Sequence, residues 1–208
     1  DMRWGNCIFT LNKMEENYDW LVAYNNIPAS QINASKNSYA VINCPSSNTI
    51  LTTTEPDSIT HYSRAFTKQF GSVLTSQPAC SLPHSDRIYQ QAGLIWLYGI
   101  GYKGTPQSFE YMVSNPPVQK KHDLSMVFSD KKMRVSLHHK RFKFMRKMEQ
   151  YFPEMHVYGR AEEHVSLDDK TGALALYRYS FALENHIATH HWTEKLADAF
   201  LGVTLPFY

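Results

Sequence analysis

The sequence is poor in cysteine, in charge and in long hydrophobic runs. Its three cysteines, Cys7, Cys44 and Cys80, lie far apart without a C-x-x-C pair, so they indicate neither a disulfide framework nor a zinc site. No apolar run approaches the ~18 residues of a membrane span, and the first residues lack a charged-then-apolar signal. Charged residues make up 19% of the chain and hydrophobic residues 43%, which excludes a disordered tail. The sequence therefore predicts a globular chain, with a slight preference for a reducing compartment.

Positive charge is concentrated in one stretch. Residues 120–147 hold 10 of the 21 Lys and Arg against two acidic residues, whereas the whole chain has a net charge of only +2. Nucleic-acid-binding proteins more often have a high overall pI, so we expect no nucleic-acid partner. A local anion site and a solvated basic helix face both fit this stretch.

The first half of the chain alternates between strand and helix patterns. Strands are predicted by their β-branched and aromatic residues at 7–10, 20–24, 39–44, 50–53 and 72–75. Apolar spacing predicts a helix over 57–70, which Gly71 ends. A strand, a helix and a strand with short connections form a βαβ unit, which predicts a parallel sheet.

A second alternation follows a loop-rich region at 76–119. Within that region we expect one buried run at 94–98 and a linker at 115–120. The later patterns predict strands at 125–128, 155–158, 179–183 and 203–208, and helices at 139–152 and 193–201. We therefore expect an α/β chain with two doubly wound lobes, 1–118 and 119–208, and ligands at the carboxyl ends of the strands.

The second predicted lobe is short. At about 90 residues it is small for a complete Rossmann-like domain, and its final predicted strand ends at the last residue. We expect it to be part of a larger lobe.

One helix start has the chemistry of an anion site. Thr193 is a good N-cap residue, which places Glu194 and Lys195 in the first helical turn. Free backbone N–H groups and the helix dipole attract anions there, and Lys195 adds a full charge, so a phosphate would fit. Glu194 would instead accept hydrogen bonds from sugar hydroxyls. The alternative is that Glu194 only complements the helix dipole while Lys195 is solvated.

Several motifs together resemble a known enzyme family. The runs YRYSFALEN at 177–185, TEKL at 193–196 and GVTLP at 202–206 are similar, in order and spacing, to the signature of the α1,3-fucosyltransferases of glycosyltransferase family 10. Shorter matches to the same family, of bacterial type, are VYGR at 157–160, SDKK at 129–132, HKRF at 139–142 and TEPDS at 54–58. The resemblance extends from about residue 18 to residue 208.

The resemblance implies a GT-B fold, in which two Rossmann-like lobes bind acceptor and donor, here with a truncated donor lobe. It makes Glu55 the general base; this residue follows the strand predicted at 50–53, although a helix-entry turn would also place an acidic residue there. It makes Arg141 the residue that binds the donor diphosphate. The remaining implied donor-site residues are Ser129, Asn185, Glu194 and Lys195, with weaker candidates Arg160, Glu184 and His191.

The implied reaction is transfer of L-fucose from GDP-fucose, with inversion, to a hydroxyl of a glycan acceptor such as O3 of GlcNAc or Glc. The partners would be a GDP-sugar and an oligosaccharide or glycoconjugate, with no cofactor and no metal ion. The compartment would be the cytoplasm or a membrane periphery in a bacterium, or the Golgi lumen in a eukaryote.

Two departures from the family pattern keep other readings open. His191 stands where the family usually has Tyr, and Asp130 stands where it usually has Asn. The alternatives are a catalytically silent relative or fragment that binds a GDP-sugar or glycan, and a transferase of the same fold that uses another GDP-sugar.

Overall fold

The computed structural model describes residues 2–11, 17–26, 42–93, 96–101, 106–128, 137–159 and 165–208. The chain forms two compact units, Asp1–Gly93 and Leu94–Tyr208. Each is a mixed α/β unit with a parallel sheet, which confirms the predicted class at that level. The unit boundary precedes the predicted lobe boundary at residue 118 by 25 residues, 118 − 93. The assignment of an acceptor lobe and a donor lobe stays a prediction.

The first unit contains a hairpin and a four-stranded parallel sheet. The hairpin pairs β1 (Met2–Trp4) with β2 (Cys7–Phe9) in antiparallel fashion. The sheet has the order β3-β4-β5-β6. Its elements are β3 (Leu21–Tyr24), β4 (Thr49–Thr53), β5 (Ser72–Thr75) and β6 (Arg87–Tyr89), with a 3-10 turn at Ser46–Asn48 and the one-turn helix α1 (Arg64–Thr67).

The core of this unit lies around the central strand β4. Leu51 pairs in register with Ala23 on one side and Val73 on the other, and all three are buried. Phe70 and Leu82 complete the cluster. A central parallel strand is covered on both faces, which explains why β4 is a nearly continuous run of buried side chains.

The helix predicted over 57–70 is wrong, because only Arg64–Thr67 is α-helical. The segment before it forms a turn in which the N–H groups of Ile59 and Thr60 donate to the carbonyl of Pro56. The carbonyl of Thr60 accepts a hydrogen bond from the side chain of Gln77, and Ser63 is the N-cap of α1. The aromatic spacing that suggested a longer helix reflects core packing instead. Tyr62 and Phe66 stack on each other and pack against the core.

Four of the five strands predicted in the first half of the chain are present. Those at 7–10, 20–24, 50–53 and 72–75 are confirmed to within one residue, although β2 pairs only with β1. The strand predicted at 39–44 lies mostly outside the described residues, and 42–44 are not in a strand. The short edge strand β6 was not predicted.

The second unit contains a four-stranded parallel sheet with the order β10-β9-β7-β8. Its elements are α2 (Phe109–Ser114), β7 (His122–Phe128), α3 (His138–Tyr151), β8 (His156–Gly159), α4 (Thr171–Leu174), β9 (Tyr177–Phe181), α5 (Glu194–Leu201) and β10 (Leu205–Phe207). Each helix and strand predicted after residue 120 is present with shifted bounds, whereas the short helices α2 and α4 were missed.

The two faces of this sheet pack differently. On one face, Met126 and Val157 of the sheet pack against Met145 of α3. On the other, the Ser125 hydroxyl donates to the carbonyl of Ala173 in α4 at 2.6 Å. The sheet is therefore covered on both sides, as parallel sheets generally are. Among the described residues, no helix is both long and apolar enough to cross a membrane.

Gly71 provides a direct test of the packing in the first unit. A Cβ at this position would lie 2.6 Å from the Ser46 carbonyl oxygen and 2.7 Å from that of Ser47, which are backbone atoms that cannot rotate away. We expect Gly71→Ala to lower the free energy of unfolding by about 1–3 kcal/mol, as measured by urea denaturation. Gly93→Ala is the control, because nothing lies within 4 Å of a Cβ there. Equal stability of the two variants would contradict the close approach at Gly71.

Candidate functional site

Arg141 is a buried cation at the start of α3. Its residue is only 6% exposed, and its Nη1 donates a hydrogen bond to the side-chain oxygen of Asn185, which follows β9. The Leu137 N–H donates to the Asn185 carbonyl at 3.0 Å, so the start of α3 is tied to the segment after β9. In this way, the structure brings together two of the predicted donor-site residues.

The guanidinium of Arg141 retains donor capacity. Its Nε is buried and has no hydrogen-bond partner among the described residues. Burial lowers the pKa of Arg141, while the charges of Glu184 and Glu194 act in the opposite direction. Arginine is rarely buried unless it is paired. A buried N–H without a partner, on a cation, is a favourable donor for an oxyanion.

Thr193 and Glu184 form the entrance to α5. As predicted, Thr193 is the N-cap of this helix. Its backbone N–H donates to Glu184 Oε1 at 2.7 Å, and its hydroxyl donates to Glu184 Oε2 at 2.7 Å. The Glu184 carboxylate therefore holds the start of α5 in place by accepting these two hydrogen bonds.

Lys195 and Glu194 lie together in the first turn of α5. The Lys195 ammonium lies 3.2 Å from Glu194 Oε1, 3.4 Å from Glu184 Oε2 and 2.8 Å from the Thr193 hydroxyl. Burial alone would raise the pKa of Glu194, but the ammonium groups of Lys195 and Lys170 outweigh it and lower the pKa. Glu194 is thus held as an ionised hydrogen-bond acceptor.

Sequence reasoning missed a buried ion pair beneath this turn. Lys170 Nζ lies 2.5 Å from Asp198 Oδ2 and 3.4 Å from Glu194 Oε1. Asp198 is 1% exposed, and its other oxygen accepts the backbone N–H groups of Leu97 at 2.6 Å and Tyr98 at 2.9 Å. The available signal was the spacing of Glu194 and Asp198, which puts two acidic residues on one side of a helix.

His191 lies next to this cluster. It is 8% exposed, its ring centroid lies 5.3 Å from that of His186, and its carbonyl accepts the Tyr208 hydroxyl at 3.3 Å. Burial lowers the pKa of His191; Glu184 and Glu194 oppose this shift, and His186 and Lys195 add to it. The neutral imidazole is therefore the favoured form.

Glu55, the predicted general base, lies in the first unit. It follows Thr54 directly after β4, at the carboxyl edge of the sheet, as predicted from the strand at 50–53. Its side chain is exposed, and no hydrogen bond to its carboxylate is found among the described residues. Burial and the charge of Glu55 together raise the pKa of Tyr62.

Two predicted residues, Ser129 and Arg160, lie outside the described residues. The structure connects the others of the second unit, together with the N-cap residue Thr193, into one cluster at the carboxyl end of β9. We name it the donor cluster after the role predicted for its members: Arg141, Glu184, Asn185, His191, Thr193, Glu194 and Lys195. In chemical terms it offers cationic donors for oxyanions and a carboxylate acceptor for hydroxyl groups. No group of three or more His, Cys, Asp or Glu side chains in the described part of the chain is placed to hold a metal ion.

The lowered pKa of His191 predicts a pH dependence of stability. Since the folded state disfavours the imidazolium relative to the ordinary pKa of 6.5, stability is retained above that pH and is lost as pH falls below it. We expect the free energy of unfolding of wild type to fall relative to that of His191→Tyr between about pH 7.5 and about pH 5.5. His139→Tyr, an exposed change in α3, is the control. Parallel curves for wild type and His191→Tyr would refute this.

Comparison with known proteins gives a match in the second unit. Residues 118–207 match the family model described as "Glycosyltransferase family 10 (fucosyltransferase) C-term". No curated protein matches the chain. The match includes all four strands of the second sheet and the whole donor cluster. The second unit is thus similar to the C-terminal domain of glycosyltransferase family 10, which supports membership of that family.

Proposed function

We propose that the chain is an inverting α1,3-fucosyltransferase that moves L-fucose from GDP-fucose to a hydroxyl of a glycan acceptor. The match of residues 118–207 to family 10 supports fucosyl transfer at the level of the family. The observation that carries the donor assignment is the buried Arg141, whose Nε lacks a partner in the described part of the chain.

Donor binding would use the two cations of the donor cluster. The planar guanidinium of Arg141 matches the geometry of phosphate oxygens, and Lys195 contributes a second charge at a helix start. Glu194, ionised by its two lysine neighbours, would accept hydrogen bonds from hydroxyl groups of the nucleotide or sugar. Asn185 orients Arg141 through its side-chain oxygen.

Catalysis would require a base for the acceptor hydroxyl. In the proposed displacement, the acceptor oxygen forms a bond to the anomeric carbon while the bond from that carbon to the phosphate oxygen breaks. The electron pair leaves with GDP, and the acceptor proton passes to the Glu55 carboxylate. The exposed carboxylate of Glu55 has no partner among the described residues and so is available for this role.

The leaving group would be stabilised by charge already in place. Arg141 and Lys195 would compensate the negative charge that develops on GDP, so the mechanism does not call for a metal ion.

A second candidate, a transferase with the same fold that uses another GDP-sugar, is favoured by His191. At this buried position, the imidazole of His191 replaces the phenol that is usual in the family. It therefore changes the hydrogen-bonding groups within the donor cluster. Titration with GDP-fucose and GDP-mannose separates the two candidates, since the one bound more tightly identifies the donor.

The role of Arg141 predicts a loss of nucleotide affinity in Arg141→Lys. This substitution keeps the charge but removes the planar fork, so the dissociation constant for GDP should rise at least ~10-fold in isothermal titration calorimetry. Arg146→Lys, on the exposed side of the same helix, should leave GDP affinity unchanged. If both variants bind GDP as wild type does, Arg141 does not contact the donor.

The role of Glu55 predicts a different result. Glu55→Gln keeps the size of the side chain but cannot accept the proton, so kcat should fall by about 10²–10⁴. GDP affinity should stay at the wild-type value, because the proton that Glu55 would accept belongs to the acceptor hydroxyl and not to the nucleotide. Glu110→Gln, an exposed change in α2, is the control. Full activity of Glu55→Gln would show that another group is the base.

A further inference from the structure

Gln77 is a buried amide beside the loop that carries Glu55. It is 2% exposed and follows β5 by two residues. Its Nε2 donates two hydrogen bonds, one to the Glu55 carbonyl at 2.9 Å and one to the Thr60 carbonyl at 3.0 Å. One side chain thus fixes both ends of the segment 55–60.

The position of Gln77 is itself set by the sheet. Its backbone N–H donates to the Thr75 hydroxyl at 3.0 Å, and its carbonyl accepts a hydrogen bond from Arg87 of β6. The Thr75 hydroxyl in turn accepts from that of Thr53 in β4 at 2.6 Å. Because these bonds belong to β4, β5 and β6, the backbone of Gln77 is anchored independently of the loop that its amide holds.

Asn25 holds the other side of Glu55. This residue ends β3 with a positive φ of 61°, a conformation that asparagine tolerates better than most residues. Its Oδ1 accepts the Thr54 N–H at 2.8 Å, and its Nδ2 donates to the Thr54 hydroxyl at 2.7 Å. The backbone is therefore fixed immediately before Glu55 and at the Glu55 carbonyl, while the carboxylate remains unengaged by the described residues.

We propose that Gln77 is a positioning residue for Glu55: its amide fixes the backbone of the catalytic loop so that the carboxylate is presented in one place. This rests on the proposed function, since it needs Glu55 to be the base. A general base must reach its proton within hydrogen-bond distance, and a shift of about 1 Å at a reacting group can cost ~10²-fold in rate. A buried, doubly bonded amide limits such a shift.

The test is Gln77→Met, which keeps the length of the side chain and removes both N–H donors. We expect kcat to fall about 10–100-fold, with KM for the acceptor and the dissociation constant for GDP within about threefold of wild type. Hydrogen exchange at the Ile59 and Thr60 amides, which bond to Pro56, should accelerate. Gln69→Met is the matched control, because it removes an exposed amide bond to the Ala65 carbonyl.

A second variant, Gln77→Glu, covers the case in which Gln77→Met does not fold. Its carboxylate would face two carbonyl oxygens, and only the protonated form can donate a hydrogen bond to them. We therefore expect the ratio of its kcat to that of wild type to rise as pH falls. Because protonation would also stabilise the fold of this variant, both kcat values are taken per folded molecule; a role limited to stability would then give a ratio that does not rise with acidity.

Glu55→Gln, measured in parallel, separates the two proposals. If Glu55→Gln loses turnover while the Gln77 variants keep wild-type kcat, the positioning role is wrong and the base assignment stands. If Glu55→Gln is fully active, or wild type transfers no fucose, the proposed function itself is wrong. A fall in kcat of Gln77→Met that only matches its unfolded fraction at the assay temperature would also overturn the positioning role.

Discussion

The ion pair between Asp198 and Lys170 is the interaction on which the donor cluster depends. Asp198 is almost fully buried and holds one lysine and two backbone N–H groups at once, so removal of the Lys170 charge would leave a carboxylate without a countercharge in the interior. Such a loss typically costs 3–5 kcal/mol. Because Asp198 lies on α5 one turn after Glu194, this pair fixes the turn that carries the candidate donor ligands.

The same principle organises both units of the chain. In each unit, polar residues that follow a central parallel strand are held by side chains from neighbouring segments. After β4, the amides of Asn25 and Gln77 hold the backbone around Glu55. After β9, Asn185 pairs with Arg141, and Glu184 holds the cap of α5. Two of the groups that find no partner within the described ranges, the Glu55 carboxylate and the Arg141 Nε, are those to which the chemistry is assigned.

Much of the fold follows from local sequence patterns, and the misses have a common cause. The strands around Leu51 and Val73, the helix α3 and the Thr193 cap were predictable from apolar spacing and capping preference. The helix over 57–70 failed because Gln77, 17 residues from Thr60, binds the carbonyl that a helix would have used. The spacing of Glu194 and Asp198 pointed to an acidic helix face, but the backbone partners of Asp198 could not be predicted, since they lie about 100 residues away. Contacts this distant in sequence leave no periodic signal.

The proposed reaction is tested most directly by the anomeric configuration of the product. Proton NMR of the chain incubated with GDP-β-L-fucose and an N-acetyllactosamine acceptor reports the new linkage and its stereochemistry in one spectrum. The proposed inverting mechanism predicts an α-linked fucosyl product, because a single displacement with inversion turns the β-linked donor into an α-linked glycoside. A β-linked product, or release of GDP and free fucose without transfer to the acceptor, would contradict it.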